Sequence, residues 1–370
     1  MRNIARCGYG TAARSGVCGL GVAAGVSKAL YFSHESSLAH DPQTIAPGHP
    51  DTPQRLLVLE AALAEHDWFD WERRAAPAAT VAQLELAHTA GHVQSIRRLS
   101  EAGGGMVDPD TYVMRASWQA ALHAAGGACE LTRALLAQEA PVGFAAGRPS
   151  GHHAERDRAM GFCLFNNVAV AAAWAIAELG LTSVLVIDWD VHHGNGTAEI
   201  FRARSDVLFA SLHQSPLYPG TGPLADAGSG AGEGFTINLP VPPGTGEALW
   251  MDLFERVVLA AAQSFSPQLI LVSAGFDAHA EDPLASCRLR TSSFPLMASR
   301  VRDLAQAAGA PLGVVLEGGY NVRVLADSVC AMLPALTGEL EEPPPRERSE
   351  QPEPLLEAAL QQYGRWWPLG

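Results

Sequence analysis

Short apolar segments alternate with helical stretches along most of this chain, and this alternation constrains the fold more than any other feature. The apolar segments are residues 29–33, 142–146, 183–187, 207–212, 235–239, 268–273 and 312–316. Helical stretches are predicted at 118–137, 166–179, 247–263, 294–308 and 321–336. Strands that are apolar throughout and separated by helices are typical of a parallel sheet covered by helices on both faces. The sequence therefore predicts an α/β domain.

The chain of 370 residues divides into three parts. Residues 1–27 contain arginine, alanine, glycine and serine but no acid, which favours a disordered leader, with a transit peptide as the alternative. Residues 28–340 carry the α/β pattern. Residues 341–370 begin with a proline-rich linker, followed by a short helix that ends near Trp366 and Trp367 and that we expect to dock back onto the domain.

Charge and cysteine usage exclude several classes of protein. The formal net charge of −14 argues against a surface for nucleic acid or anionic membrane, both of which need clustered lysine and arginine. No apolar run reaches the roughly 18 residues of a membrane helix. The six cysteines are scattered without a CxxC pair, which favours free thiols in a reducing compartment. We therefore predict a cytoplasmic location, and a transit peptide in residues 1–27 would change that prediction.

Polar residues cluster where four of the predicted strands end. In open parallel sheets, sites form beyond the carboxyl ends of the strands. A single polar residue there is commonly a helix cap, but four clusters at one edge indicate a functional site. The clusters are Gly151-His152-His153, the run from Asp188 to Gly196, Gly275-Phe276-Asp277 and Glu317-Gly318-Gly319-Tyr320.

The run after the third strand has the spacing of a metal site. Asp188, Asp190 and His192 alternate along the chain, so in an extended backbone they lie on one side. Three ionisable groups leaving a buried strand need a counter-charge, which a cation supplies. Two carboxylates and one imidazole suit zinc or another first-row divalent ion with an open position for water. The alternative is a hydrogen-bonded cap network.

Together these segments resemble the histone deacetylase superfamily, which includes bacterial deacetylase-like amidohydrolases and acetylpolyamine amidohydrolases. The resemblance covers about residues 29–340 and implies the arginase/deacetylase α/β fold, with a largely parallel sheet of about eight strands. The motifs that carry it are residues 48–55 (GHPDTPQR), 151–154 (GHHA), 161–167 (GFCLFNN), 188–197 (DWDVHHGNGT), 218–222 (YPGTG), 273–278 (SAGFDA) and 317–321 (EGGYN).

The resemblance implies a role for each polar cluster. By motif, the zinc ligands match Asp190, His192 and Asp277, the tandem active-site histidines match His152 and His153, and the carbonyl-polarising tyrosine matches Tyr320. Asp188 matches the acid behind the first histidine. Asn195 stands behind the second histidine, where some members have another aspartate, and this suggests that His153 is less biased toward its protonated form.

The resemblance also implies a structural potassium ion. In the family this ion is bound largely by main-chain oxygens, and the matching positions here are Asp188, Asp190, His192, Ser211 and Leu212.

Further positions match the substrate tunnel of the family. Phe162, preceded by Gly161, and Tyr218 match its two aromatic walls, although core packing is the alternative for each ring. Leu284 aligns with a gatekeeper at the tunnel mouth, and Asp110 aligns loosely with a rim aspartate. Arg55 matches a basic residue near the inner cavity, with a surface salt bridge as the alternative.

The predicted activity is metal-dependent hydrolysis of an acetylated amine by attack of a metal-activated water, with acetate and the free amine as products. Leucine at position 284 favours an acetyl-lysine side chain in a peptide or protein, because polyamine-selecting relatives carry a glutamate there. A small acetylated amine such as an acetylpolyamine is the main competing substrate. The chain could instead be a catalytically silent acyl-lysine binder or a two-manganese ureohydrolase, both of which the motifs disfavour. The sequence carries no prediction of the oligomeric state.

Overall fold

The structure, a computed structural model, describes residues 27–340, 346–347 and 353–369. The predicted leader, apart from Ser27, and most of the predicted linker lie outside these residues. The strands of the described part are β1 Leu30–Ser33, β2 Glu72–Ala75, β3 Gly104–Asp108, β4 Thr111–Met114, β5 Val142–Ala145, β6 Val184–Asp188, β7 Val207–Gln214, β8 Thr236–Val241, β9 Leu269–Ala274 and β10 Leu312–Leu316.

Helices follow most of the strands. The α-helices are α1 Ser36–Ala39, α2 Gln54–Glu65, α3 Val81–Leu84, α4 Ala90–Glu101, α5 Ser117–Leu136, α6 Asn167–Leu179, α7 Asn195–Phe201, α8 Glu247–Leu253, α9 Ala260–Phe265, α10 Ser293–Ala308, α11 Val322–Thr337 and α12 Pro354–Tyr363. Short 3₁₀ turns occur at Pro42–Thr44, Asp67–Asp70 and Gly230–Gly232, and a π-helical segment, Phe254–Leu259, joins α8 to α9. The helix predicted at 247–263 therefore exists but is interrupted.

Eight strands form one sheet in the order β2-β1-β5-β10-β9-β6-β7-β8, and every pairing in it is parallel. The predicted eight-stranded parallel sheet is confirmed. Seven of its strands match the predicted apolar segments. The eighth strand, β2, was not predicted, because it lies at an exposed edge of the sheet and its sequence, Glu-Arg-Arg-Ala, is polar. The remaining strands, β3 and β4, form an antiparallel pair.

The sheet is buried on both faces, as the apolar strands predict. Along β6, Leu185 and Ile187 pack into one core with residues of α10, α11 and α12. Val184 and Val186, which point the other way, pack into a second core with residues of α5 and α6. Alternate residues of one strand thus reach different helical layers. Polar side chains are consequently excluded from the middle of the sheet and collect at its ends.

The C-terminal helix α12 packs beside β8, with Tyr363 and Trp367 buried. Its first residue, Pro354, occupies a position where the missing N–H costs no hydrogen bond. Among the described residues, no helix is both long and apolar enough to cross a membrane.

Candidate active site

The four polar clusters come together because their strands are neighbours. β5, β10, β9 and β6 are consecutive in the sheet, and all run in the same direction. Their carboxyl ends therefore meet at one edge. Order in the sheet differs from order in the sequence, so the chain topology brings together residues that lie more than a hundred positions apart.

Asp190, His192 and Asp277 form a compact trio at this edge. Each offers one ligand atom, and these atoms all lie within 4.8 Å of one another. The Nδ1 atom of His192 is 3.1 Å from Asp190 Oδ1 and 3.1 Å from Asp277 Oδ2. All three residues are buried. The sequence placed Asp190 and His192 on one loop, and the structure adds Asp277 from the neighbouring strand β9.

Backbone groups hold the outer oxygens of both carboxylates. Gly318 N donates to Asp190 Oδ2 at 2.7 Å, and Val191 N donates to Asp277 Oδ1 at 2.9 Å. Glycine is required at 318, because a Cβ atom there would overlap these two carboxylates. The remaining oxygens, Asp190 Oδ1 and Asp277 Oδ2, are left to face His192.

The electrostatics of the trio fit a cation. Burial, together with the nearby Asp190 carboxylate, raises the pKa of Asp277 to about 7. Burial by itself lowers the pKa of His192, but the two carboxylates outweigh it and raise that pKa to about 10. Two carboxylates this close in a buried site are unfavourable without a positive charge. One imidazole nitrogen and two carboxylate oxygens are donors that a first-row divalent ion accepts. The residues present therefore fit a metal ion.

The two adjacent histidines occupy different environments. His152 Nδ1 lies 3.0 Å from Asp188 Oδ2, whereas His153 Nδ1 lies 2.8 Å from Asn195 Oδ1. Burial lowers the pKa of His152, but the Asp188 and Asp190 carboxylates outweigh it, so this pKa is well above its usual value. Burial and the neighbouring imidazoles hold the pKa of His153 well below its usual value. The surroundings therefore favour the cationic form of His152 and the neutral form of His153.

Glu317 is a buried acid to which the sequence pattern assigned no role. Its Oε2 accepts hydrogen bonds from Gly151 N at 2.7 Å and from His152 N at 3.2 Å, and Ser273 Oγ donates to Oε1 at 3.2 Å. Burial raises the pKa of Glu317 to about 7. The side chain fixes the backbone of the first histidine to β10. The sequence signal that could have indicated a role for Glu317 is its position directly after the buried strand β10.

Tyr320 is held by a second acid that the sequence pattern did not mark. Asp282 Oδ2 accepts from Tyr320 N at 2.7 Å and from Asn321 N at 3.3 Å. Asn321 also caps α11 by accepting from Val324 N. The guanidinium of Arg55 lies over the Tyr320 ring, 4.9 Å from its centroid. Burial raises the pKa of Tyr320 well above its usual value, so its hydroxyl keeps its proton at neutral pH.

The two predicted wall residues contact different members of the site. The Phe162 ring meets Tyr320 edge-on at 5.7 Å, and the Tyr218 ring meets His153 edge-on at 5.1 Å. Gly161 has a φ of 56°, and a Cβ there would strike the His153 ring. Both aromatic rings thus border the catalytic candidates.

The two residues predicted at the rim of the tunnel, Leu284 and Asp110, lie farther along the contacts that surround the site. Leu284 is half-buried, and its N–H donates to Asp282 Oδ1 at 3.0 Å, which links it to the acid that holds Tyr320. Asp110 Oδ1 accepts from Thr111 Oγ1 at 2.8 Å, and Thr111 Oγ1 accepts from Phe162 N at 3.0 Å. The loosely aligned Asp110 therefore lies next to the Phe162 segment.

The surface salt bridge considered for Arg55 is wrong. Its side chain is fully buried, where Nη1 donates to Asp51 Oδ1 at 2.9 Å and Nε donates to Gly319 O at 2.7 Å.

The predicted potassium positions lie on β6 and β7 and in the loop after β6, and Asp188 is paired in register with Ser211. Ser211 Oγ lies 3.0 Å from His213 Nδ1.

A parallel eight-stranded sheet with this acid and histidine site at its carboxyl edge defines the arginase/deacetylase class of α/β folds. A family model described as the histone deacetylase domain matches residues 49–336. A histone deacetylase-like amidohydrolase of Pseudomonas aeruginosa is 41% identical over 296 residues, which cover 79% of this chain and 78% of that protein. The chain belongs to the histone deacetylase family.

Two further relatives agree with this assignment. Histone deacetylase 10, chloroplastic, of Oryza sativa subsp. japonica is 38% identical over 310 residues, covering 79% of this chain and 70% of that protein. A crystal structure of the HDA15 HD domain superposes with a TM-score of 0.85 at 36% identity and covers 92% of this chain and 96% of its own. Membership of this family supports deacetylase or amidohydrolase activity on acetylated amines.

Proposed function

We propose that the protein is a zinc-dependent deacetylase that hydrolyses the amide of an acetyl-lysine-type side chain. One observation carries the proposal. Asp190, His192 and Asp277 present three convergent ligand atoms, and the rings of His153 and His192 lie 5.8 Å apart. A metal site therefore borders a histidine that is able to move a proton.

Asp190, through Oδ1, His192, through Nδ1, and Asp277, through Oδ2, would hold the ion. Once bound, it supplies Lewis acidity that polarises the amide carbonyl and lowers the pKa of a water molecule. Among the described residues this trio is the one cluster of three acid or histidine side chains close enough to share an ion, which favours one catalytic ion over a ureohydrolase-type pair.

His153 is the proposed general base and acid. Its Nδ1 faces Asn195 Oδ1, which can only accept, so Nδ1 carries the proton and Nε2 is left as the acceptor. Because its pKa is held low, the ring is neutral and able to take a proton at Nε2 before returning it to the leaving amine. His152, kept cationic by Asp188, contributes electrostatically.

Tyr320 is the proposed oxyanion donor. Its hydroxyl stays protonated, and Asp282 and Arg55 fix its backbone and ring. A fixed donor aimed at a developing negative charge is worth roughly 3 kcal/mol in acyl-transfer sites.

The Tyr320→Phe variant tests this role. We expect kcat to fall about a hundredfold or more, with the metal content per chain unchanged. Tyr31→Phe is the matched control, because it removes a hydroxyl from another tyrosine whose ring is buried, on β1. Near-full activity in Tyr320→Phe would contradict the proposed role, as would an equal loss in both variants.

The proposed substrate is an acylated lysine side chain. The rings of Phe162 and Tyr218 suit the methylenes of such a chain, and Leu284 places no charge at the mouth. A small acetylated amine such as an acetylpolyamine is the second candidate, favoured by Glu281 and Asp282 beside the gatekeeper. We propose no nucleic-acid partner, in line with the net charge of −14.

A substrate panel ranks these candidates. Acetyl-lysine peptide, trifluoroacetyl-lysine, acetylputrescine and acetylspermidine are assayed with and without a chelator. We expect the lysine substrates to have the higher kcat/KM and the chelator to abolish turnover. A preference of about a hundredfold for the polyamines, ~2.7 kcal/mol, would reverse the ranking.

We also propose that Asp188 and Ser211, with main-chain oxygens near Asp190, His192 and Leu212, bind a structural potassium ion. The support is the in-register pairing of Asp188, the last residue of β6, with Ser211 in the middle of β7. If so, exchange of potassium for a large organic cation lowers the melting temperature. An unchanged melting temperature would contradict this site.

A cytoplasmic location remains our proposal. It is supported by Cys129, Cys163, Cys287 and Cys330, which are free in the described part of the chain. The transit-peptide alternative has support from the rice relative, whose name places it in the chloroplast. Microscopy of the protein with a C-terminal fluorescent tag, with and without residues 1–27, separates the two: export or import that depends on these residues contradicts the cytoplasmic proposal.

A further inference from the structure

Helix α12 lies beyond the segment that the family model matches, which ends at residue 336, and it packs against the edge strand of the sheet. Trp367 Nε1, just after the helix, donates to Gly234 O at 2.7 Å, and the Trp367 ring meets Phe235 edge-on at 5.3 Å. These contacts dock the helix beside the start of β8. Tyr363, the last residue of the helix, makes a separate set of contacts.

The hydroxyl of Tyr363 is buried between β8 and the loop that precedes it. Asn238 N donates to this oxygen at 2.7 Å, and the hydroxyl lies 3.1 Å from Asn238 O and 3.0 Å from Leu224 O. Because β8 is an edge strand, the outward N–H and C=O of Asn238 have no neighbouring strand to pair with. Tyr363 supplies the missing partner for both groups.

The side chain of Asn238 continues the network inward. Its Nδ2 donates to Asp226 O at 2.9 Å, so its Oδ1 is the atom that accepts from His193 Nε2 at 2.9 Å. His193 Nδ1 is therefore an acceptor, and Thr221 Oγ1 donates to it at 2.7 Å. An unbroken chain of hydrogen bonds thus runs from the C-terminal helix to Thr221.

This network contacts residues 215–229, here called the wall loop, which follow β7 and include Tyr218. Thr221, Leu224 and Asp226 each receive or provide one of its bonds. The Tyr218 ring in turn lies against His153. His193, the middle of the network, directly follows His192 in the chain. The wall loop is also held outside this network: Ser215 N donates to Val241 O on β8, His213 Nε2 lies 2.9 Å from Gly222 O, and Arg202 Nη1 donates to Asp226 Oδ2 at 2.7 Å. The network adds the contacts at Thr221, Leu224 O and Asp226 O.

We propose that Tyr363 is a positioning residue for the substrate tunnel: through Asn238 and His193 it fixes the wall loop and with it the Tyr218 wall. The functional part of this inference rests on the deacetylase function proposed above. The helix that follows the family domain thereby helps to position the Tyr218 wall.

Hydrogen–deuterium exchange of the full chain tests the positioning directly, without reference to activity. In Tyr363→Phe we expect the Asn238 amide, whose N–H loses its acceptor, to exchange about tenfold faster, and with it wall-loop amides such as that of Asp226, because the nearby Leu224 carbonyl is released. The matched control is Trp367→Phe, which also removes one hydrogen bond of the same C-terminal segment but none to the wall loop. In the control we expect faster exchange near Gly234 and unchanged exchange in the wall loop. Unchanged wall-loop exchange in Tyr363→Phe overturns the proposal.

Kinetics supply the second readout. A loosened tunnel wall weakens substrate binding, so we expect KM to rise about fivefold in Tyr363→Phe while kcat stays within about twofold. A fivefold fall in kcat with unchanged KM would instead overturn a role of Tyr363 in the tunnel. If the wild-type protein deacetylates none of the acetylated amines, the proposed function fails, and the exchange measurement alone then decides the positioning.

A milder variant guards against a misfolded Tyr363→Phe protein. Thr221 is exposed, so Thr221→Val leaves the core intact while cutting the loop end of the same network. We expect it to speed wall-loop exchange and raise KM in the same direction as Tyr363→Phe, by a smaller factor. Exchange and KM equal to the wild type in this variant overturn the proposal.

Discussion

Two buried clusters of charged side chains in the described part of the chain are built in opposite ways. The metal-ligand cluster, Asp190, His192 and Asp277, carries two carboxylates and one imidazole. The arginine cluster, Asp51, Arg55 and Arg148, carries one carboxylate and two guanidiniums. All six side chains are buried.

The guanidiniums of the arginine cluster have their hydrogen-bond partners within the protein. Asp51 Oδ1 accepts from Arg55 at 2.9 Å and from Arg148 at 2.8 Å. Further N–H groups of both guanidiniums donate to main-chain carbonyls, among them Ser37 O and Gly319 O. Burial raises the pKa of Asp51, but the two guanidiniums outweigh it and hold this pKa well below its usual value.

The metal-ligand cluster shows the reverse, since burial and the Asp190 carboxylate raise the pKa of Asp277. The comparison teaches that burial by itself does not mark a functional site. In the arginine cluster one carboxylate and several main-chain carbonyls meet two guanidiniums, whereas the metal-ligand cluster places two carboxylates around one imidazole, an arrangement that favours a bound cation.

The largest effect should come from Asp277→Asn. We expect kcat/KM to fall about a thousandfold or more, ~4 kcal/mol, together with loss of bound metal. The melting temperature of the metal-free protein should not fall, because an unfavourable buried carboxylate has been removed. Metal analysis, kinetics and calorimetry measure the three quantities. A variant that keeps metal and activity would show that Asp277 does not complete the site.

Asp51→Asn should act on stability instead. We expect the free energy of unfolding to fall by about 3–5 kcal/mol, because two buried guanidiniums lose their counter-charge. Denaturant unfolding measures this, and Glu101→Gln, which breaks the exposed pair with Arg97, is the control with little effect expected. A melting curve like that of the wild type would show that the arginine cluster is not held by its acid.

Asp277 and Asp51, one acid from each cluster, should give opposite pH dependence. A raised pKa in the fold, as for Asp277, contributes stability at low pH that is lost as the pH rises through about 7. A lowered pKa, as for Asp51, contributes stability above about pH 4 that is lost on acidification. Metal-depleted protein should therefore melt at a lower temperature at about pH 8 than at about pH 5.5. Saturating zinc should reduce this difference, and the opposite slope would contradict the comparison.

The smallest effect expected is a change of substrate preference in Leu284→Glu. A carboxylate at the tunnel mouth attracts a cationic chain electrostatically. We expect the ratio of kcat/KM for acetylspermidine to that for acetyl-lysine peptide to rise about tenfold, ~1.4 kcal/mol. Leu284→Gln is the uncharged control. Equal shifts in both variants would point to shape rather than charge.

Much of the site was predictable because it lies at strand ends with strong local signals. Asp190 and His192 alternate on one loop, and the clusters at His152, Asp277 and Tyr320 each follow an apolar strand. The supporting acids Glu317 and Asp282 were not assigned roles, because their partners are backbone N–H groups of distant segments. No periodicity in the sequence reveals such contacts.

The sequence by itself determined that the sheet is parallel and buried on both faces, because its strands are apolar throughout and are separated by helices. It also determined the donor types for a metal ion. Only the tertiary structure decided that Asp277 faces His192, that Arg55 is buried rather than exposed, and that Tyr363 reaches the wall loop. The physical reason is that strand order and long-range side-chain contacts arise from packing of the whole chain, whereas periodicity and donor chemistry are local.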